Sequence, residues 1–279
     1  MIDGKKIAAE IRSELKQWIS TLSSRKPCLA VVLVGDHAPS MLYVNNKVKA
    51  CQEVGILSIR KDFPMTITQE KLLQEIDALN KNSEVDGILV QLPLPESIDV
   101  KKIIYAISPE KDVDGFHPLN VGKWMLGDPD AFVPCTPLGI KVLLEKSNIP
   151  VQGKHAVIVG RSNLVGKPLS ILLLGANATV TIAHSFTQDL KKITSQADIL
   201  IACLGKPKFI QEEMVKEGSV VIDVGTTKIG NQIVGDVDFE KVQKKCSYIS
   251  PVPGGVGPMT IAMLLKNTLQ SYKGCKQNC

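Results

Sequence analysis

Apolar and polar positions alternate in blocks along the chain, with short unbroken apolar runs separated by stretches of helical period. Residues 4–22 place Ile7, Ile11, Leu15, Trp18, Ile19 and Leu22 at three- and four-residue spacing, one face of an amphipathic helix. CLAVVLVG (28–35) follows as a buried strand. Ser40 is placed to cap a helix that ends at Gly55, with Tyr43, Val44, Val48 and Cys51 on its inner side. ILSIRKDFP predicts the next strand, residues 68–81 the next helix, and GILVQLPLP (87–95) a strand stopped by its prolines. Residues 108–137 break the rhythm. The stretch is rich in Pro, Gly and Asp, and its aromatics and Met125 predict an ordered, functional loop.

A helix over 138–146 leads into a second series, with strands at 155–160, 178–183, 198–203, 219–223 and 247–249 and helices between most of them. The alternation predicts an α/β fold with largely parallel sheets. The second series has the spacing of a nucleotide-binding Rossmann half. The chain closes with PVPGGVGPMTIAMLLKNTLQSYKGCKQNC, a Gly/Pro loop and then an amphipathic helix, of which SYKGCKQNC reads as a frayed end.

A chain of 279 residues fits one large or two ordinary domains. Its 44% hydrophobic and 22% charged residues describe a soluble globular protein and exclude disorder. No apolar run approaches the ~18 residues of a membrane span. The start, MIDGKKIAAEIRSELK, is charged and amphipathic without a signal-peptide core, so a cytoplasmic protein is expected. The seven cysteines are odd in number and irregularly spaced without C-x-x-C, and the four histidines lie far apart, so neither a disulfide framework nor a metal site is expected. The net charge of +5 is spread over scattered basic pairs, and aromatics are only 4%, which argues against a nucleic-acid groove. A mildly basic surface suits small anionic ligands.

VIVGRSNLVGKPLSILLL reads as strand, glycine turn and helix. Gly160 permits the tight turn, Gly166 lets the helix start close to the strand, and the N–H groups there suit a pyrophosphate. The order is G-x-S-x-x-x-G, with Ser162 where a second glycine usually stands, so an ordinary tight βα turn remains an alternative. An NAD site places an acid about 20 residues beyond the glycines. Here that region is VTIAHSFTQ and the first acid is Asp189, whereas Arg161 and Ser185 offer charge and a hydroxyl to a 2′-phosphate. The adenine end therefore favours NADP. In the first half, Tyr43 and Lys47 share a helix face, either as a solvated pair or as a chemical one. Gln91 ends an apolar strand, where its amide needs partners. Asp112 and Asp114 share a side if KDVDGFH is extended, and turn formation is their plainer role. The PGGVGP loop (253–258) is either a helix cap or a close approach to a flat ligand.

YVNNK, GILVQLPLP, PEKDVDGFHPLNVG, PCTPLGI, VIVGRSNLVGKP, HS, VGDVDF and PVPGGVGPMTIAMLL occur in this order over most of the chain. The set resembles the bifunctional methylenetetrahydrofolate dehydrogenase/methenyltetrahydrofolate cyclohydrolase family. The resemblance implies two α/β domains with the active-site cleft between them. Residues 1–136 and 258–279, with a returning C-terminal helix, would form the catalytic domain, and 137–257 the NADP-binding Rossmann domain. It implies oxidation of 5,10-methylene-tetrahydrofolate with NADP and hydrolysis of the methenyl product to 10-formyl-tetrahydrofolate, in one-carbon metabolism serving purine, methionine and histidine biosynthesis. The implied protein is a homodimer that acts on tetrahydrofolate derivatives, with no nucleic-acid or membrane partner. Carried over by position, Tyr43, Lys47, Gln91 and Asp114 are catalytic, and Val90, Leu92, Pro253, Gly254, Gly255, Val256 and Gly257 join them in holding substrate. Gly160, Arg161, Ser162, Ser185 and Thr226 would hold NADP. Lys47 is the acid/base candidate. An unperturbed lysine of pKa ~10.4 is almost wholly charged at neutral pH, so it must either be depressed by burial or act charged through hydrogen bonds. Thr226-Thr227 stands where many members carry an Ile-Asn pair.

Four alternatives have something in their favour, one of them a non-enzymatic folate- or nucleotide-binding protein, which is expected to lack part of the Tyr43, Lys47, Gln91 and Asp114 set. A monofunctional family member would share these motifs. A shikimate-type dehydrogenase shares the order of domains but lacks QLPLP and PGGVGPMT. Short-chain dehydrogenases share Tyr-x-x-x-Lys, but there the pair follows the glycine loop, and here it precedes it by more than a hundred residues.

Overall fold

The computed structural model describes residues 1–230 and 232–277, the last three of these by their backbone alone. The chain divides into a first unit, Glu10–Cys135 with the residues from Ile261 on, and a second unit, Met1–Ala9 with Thr136–Thr260. The domain limits expected from the sequence keep residues 1–136 together, while the first nine residues make their contacts within the second unit. The Ile2 N–H donates to the Ile249 carbonyl at 2.9 Å, and Gly4 lies so close to the Gly255 carbonyl that a Cβ there would overlap it.

The elements up to residue 146 are α1 (Gly4–Ser20), β1 (Cys28–Val34), α2 (Ala38–Val54), β2 (Leu57–Phe63), α3 (Gln69–Lys81), β3 (Gly87–Val90), α4 (Val100–Ala106), α5 (Pro118–Met125) and α6 (Cys135–Lys146). The first unit holds a parallel sheet in the order β2-β1-β3. β1 and β3 are buried at every position, as unbroken apolar runs require of parallel strands covered on both faces. β2 is one of the two edge strands and carries the charged pair Arg60–Asp62. Ala30, Val32 and Ile88 pack with Leu72, Ile76 and Leu79 of α3 and Ile103 of α4. Thr68 starts α3 by accepting the Lys71 N–H.

Two expectations for this unit are corrected. Ser40 does not cap α2: the helix begins at Ala38 after His37, and Ser40 sits buried inside it, 3.0 Å from His37 Nδ1. The buried side of α2 is Ser40, Val44, Lys47, Ala50, Cys51 and Val54, while Tyr43 faces out. Second, the stretch from 108 on is not irregular throughout. It contains α5, begun by His117, whose Nδ1 accepts the Leu119 N–H, and a parallel bridge joins Asp112 to Ile88 of β3.

The remaining elements are β4 (His155–Val159), α7 (Gly166–Gly175), β5 (Thr179–Ala183), α8 (Leu190–Thr194), β6 (Ile199–Ala202), β7 (Val220–Asp223), β8 (Thr227–Ile229), β9 (Gln232–Val234), α9 (Phe239–Val242), β10 (Tyr248–Ile249) and α10 (Val256–Gln277). Five of the strands make a parallel sheet in the order β10-β7-β6-β4-β5. Strand order reverses between β4 and β6, and ligands of such doubly wound sheets bind outside the carboxyl ends at that point. Val157, Val159, Leu200 and Val221 form its core with Ile210, Val215 and Val237. β8 and β9 form an antiparallel hairpin that the sequence pattern does not announce.

The expected frayed end is helix as far as Gln277. Ser271 and Tyr272 are buried in the first unit, and the Tyr272 hydroxyl donates to the Arg25 carbonyl at 2.7 Å. Residues 278 and 279 lie outside the described residues. Among the described residues no helix is long and apolar enough to cross a membrane, and no three His, Cys, Asp or Glu side chains are grouped to hold a metal ion.

Candidate active site

In the first unit the strand order reverses between β1 and β3, and the polar residues gather beyond the carboxyl end of β3. The Gln91 N–H continues the pairing by donating to the Val32 carbonyl at 2.9 Å. Its side chain has both ends engaged: Nε2 donates to the Leu92 carbonyl at 2.8 Å and Oε1 accepts from Lys47 Nζ at 3.0 Å. Lys47 reaches it from the buried side of α2, only 9% exposed. A neutral amide thus holds an amine without adding charge.

Asp114 completes this group. Burial pushes its carboxyl above the usual carboxylate range, while the Lys47 charge and the neighbouring Cys135 thiol, which donates to the Val113 carbonyl at 3.3 Å, pull it back down. The same burial, with the Asp114 carboxylate beside it, lifts the Cys135 thiol well above its ordinary range, so the thiol serves as a proton-bearing donor. Asn267 of α10 anchors the backbone around them, donating through Nδ2 to the Val113 carbonyl at 2.8 Å and the Val133 carbonyl at 3.0 Å. Cys135 and Asn267 are absent from the sequence-based set. The available signal was an amide on the apolar face of α10, where Asn267 is 1% exposed.

Asp112 plays a different part. It is buried with Oδ2 accepting from Asn120 Nδ2 at 2.9 Å and the His117 N–H at 2.8 Å, which fixes the turn that presents Asp114. Tyr43 stands one turn before Lys47, 37% exposed. Val90, Leu92, Asp114 and Phe116 line a small apolar hollow with Ile88 and Ile104.

The other predicted residues lie in the second unit. Gly160, with φ of 134°, follows β4 and faces Cys203 at the end of β6, where a Cβ would lie 2.7 Å from the Cys203 Sγ. A Cβ at Gly166 would overlap the Gly160 carbonyl, so the two glycines close the turn onto the start of α7. Ser162 Oγ accepts the Val165 N–H at 3.1 Å and shapes this turn. Arg161 is exposed, its Cζ 5.5 Å from the centre of the Phe186 ring, so the ends of β4 and β5 bring Arg161 and the Ser185 region together. Thr226 is exposed between β7 and β8. Pro253 to Gly257 form the turn that leads into α10 and its first residues. Gly254 takes φ of 116°, and Gly254, Gly255 and Val256 are buried between exposed Pro253 and Gly257.

Residues 2–114 match the family model of the tetrahydrofolate dehydrogenase/cyclohydrolase catalytic domain, and residues 134–276 match that of its NAD(P)-binding domain. The chain belongs to the tetrahydrofolate dehydrogenase/cyclohydrolase family. One relative, the "Bifunctional protein FolD" of Protochlamydia amoebophila, is 56% identical, covering 98% of this chain and 97% of its own. The crystal structure of the bifunctional enzyme FolD from Campylobacter jejuni superposes with a TM-score of 0.96 at 51% identity and 98% coverage of both chains. The Trypanosoma brucei dehydrogenase-cyclohydrolase, solved with NADP and an inhibitor, gives 0.94 at 38% identity, covering 98% of this chain and 97% of that one. The two family domains follow the two sheets: the catalytic-domain match holds Lys47, Gln91 and Asp114, and the NAD(P)-binding match holds the Gly160 turn.

Proposed function

We propose that this protein oxidises 5,10-methylene-tetrahydrofolate with NADP and hydrolyses the resulting 5,10-methenyl-tetrahydrofolate to 10-formyl-tetrahydrofolate. The observation that carries this reading is the buried Lys47 held by Gln91 Oε1, in the electrostatic field of Asp114. Its relatives named as bifunctional, at more than half identity over nearly the whole chain, support it.

The second unit fits NADP. The Gly160 and Gly166 approach leaves bare backbone at the start of α7, where a side chain would obstruct a pyrophosphate. Arg161 supplies a cation near Ser185, and residues 180–188 contain no acid to bind a ribose diol. NADP supplies the hydride acceptor. The chain contributes register between the rings, which is most of what hydride transfer asks of a protein.

In the folate set, Asp114 accepts from the pterin N–H groups. Tyr43 offers a ring face to the same ligand. Hydrolysis requires water to add to the methenyl carbon with loss of a proton; the resulting O–H then gives up its proton as the formyl C=O forms and the bond from carbon to N5 breaks, so that one proton leaves and one is delivered to N5. Lys47 Nζ moves that proton, and Gln91 keeps the nitrogen aimed while it does so. Following both reactions on one preparation tests the reading. Formation of NADPH without methenyl hydrolysis, or the reverse, would make the protein monofunctional, and neither activity would refute the proposal. A cytoplasmic homodimer supplying one-carbon units for purine, methionine and histidine biosynthesis is the setting we infer.

A further inference from the structure

At the carboxyl ends of β6 and β7 lie two carboxylates, Asp223, the last residue of β7, and Asp236, 3% and 0% exposed. All their side-chain hydrogen-bond partners among the described residues are backbone N–H groups. Asp223 Oδ1 accepts from Gly225 and Asp236, both at 2.9 Å, and Oδ2 accepts from Val237 at 3.0 Å. Asp236 Oδ2 accepts from Leu204 at 2.6 Å and Gly205 at 2.9 Å, while its Oδ1 is buried with no partner. That carboxylate packs against Gly225, where a Cβ would come within 2.6 Å of Asp236 Cγ. Burying two neighbouring carboxylates without a cation is costly, and apolar side chains would fill the space at less cost. What the pair supplies instead is a fixed backbone in two loops.

Those loops matter for their position. Leu204 and Gly205 directly follow Cys203, whose carbonyl and sulfur abut Gly160. Gly225 directly precedes Thr226. Arg161 and Ser185 mark the β4–β5 side, and a dinucleotide crosses the point where strand order reverses, so its other half extends over β6 and β7. We propose that Asp236, locked in place by Asp223, is a positioning residue for the nicotinamide half of NADP, acting through the 203–205 and 224–226 loops. This rests on the cofactor reading above.

The test compares the full-length parent, Asp236→Ala and Asp236→Asn. Calorimetric titration gives the Kd for NADP and for adenosine 2′,5′-bisphosphate, which carries only the adenine end. Alanine removes the acceptor for two amides, so NADP affinity should fall about tenfold or more while the bisphosphate stays within about twofold. Methenyl hydrolysis, measured without cofactor, should persist. Asparagine keeps an oxygen acceptor and should return NADP affinity to within about threefold of the parent. Unchanged NADP affinity in the alanine variant, equal weakening of both ligands, or an asparagine variant as weak as alanine would overturn the role. If alanine does not fold, Asp236→Glu, which shifts the carboxylate by one methylene, takes its place with the same expectation. Failure of both to fold would make Asp236 a folding determinant and overturn the proposal as well. A parent that binds neither ligand would sink the cofactor reading itself.

Discussion

Replacing Lys47 by Gln should separate the two activities. The substitution keeps most of the stem and a donor within reach of Gln91 but removes the charge and the exchangeable proton. In the dehydrogenase step no proton passes through this nitrogen, so the loss is one of positioning. A hydrogen bond to a charged group is worth roughly 1.5–3 kcal/mol, or about tenfold to a hundredfold if nothing replaces it. The glutamine donor recovers part of that. Hydrolysis loses the same positioning and the proton transfer too, for which general acid/base help is worth ~10²–10⁴-fold. The ratio of dehydrogenase to cyclohydrolase activity should therefore rise at least about a hundredfold, with hydrolysis near background. A second signature follows from Asp114. The Lys47 charge is what holds its carboxyl down against burial, so the variant's carboxyl should titrate at higher pH. The acidic limb of the dehydrogenase pH profile should move upward with it. Both rates are read spectrophotometrically on one preparation, and the remaining dehydrogenase shows that the site is folded. Equal loss of both activities in a folded, NADP-binding variant would leave Lys47 a positioning group only. Parental hydrolysis would remove it from proton transfer altogether.

Asp114→Asn should lower both reactions about tenfold or more, since both use one bound pterin and lose one charge-assisted bond; normal kinetics in both assays would place Asp114 outside the site. Arg161→Ala should raise the KM for NADP far more than that for NAD, and an equal rise would exclude a contact with the 2′-phosphate. Burial lifts the Asp112 carboxyl to about 6, against the bonds from Asn120 and His117 that favour its ionised form. The folded chain thus holds this proton more tightly than the unfolded one. The stability this group contributes is present at the acid end and is lost as pH rises from about 4 through about 6, by roughly 3 kcal/mol. Asp112→Asn should flatten that fall, and denaturant midpoints of parent and variant changing identically between pH 4 and 7 would refute the assignment.

The parallel strands were legible because CLAVVLV, GILV and HAVIV are unbroken apolar runs with abrupt ends, a pattern that buried strands of doubly wound sheets require. α4 was not, because VKKIIYA makes barely two turns and depends on Asp99 as its cap rather than on a long periodic face. α5 hid behind Pro118, which reads as a breaker but sits at the first turn of the helix, where its missing N–H costs nothing. Nor does any local pattern announce that residues 1–9 join the second unit, since the contacts that tie them there, Ile2 to Ile249, Gly4 to Gly255 and Lys5 to Gly254 among them, are all long-range.

The site residues show where residue-by-residue reading ends. Spacing alone makes Asp112 and Asp114 equivalents, two acids sharing a side of an extended segment. The chain there turns instead, with the Gly115 N–H donating to the Asp112 carbonyl at 3.0 Å. One acid is spent inside on Asn120 and the His117 amide, and the other is left to Lys47 and Cys135. The two remain coupled, because the Asp114 charge helps raise the Asp112 carboxyl. What separates their roles is therefore the set of donors brought from afar: Asn120 from α5 and, through the Val113 and Val133 carbonyls, Asn267 from α10. Sequence distance hides those donors, and only the path of the backbone selects which acid faces the lysine.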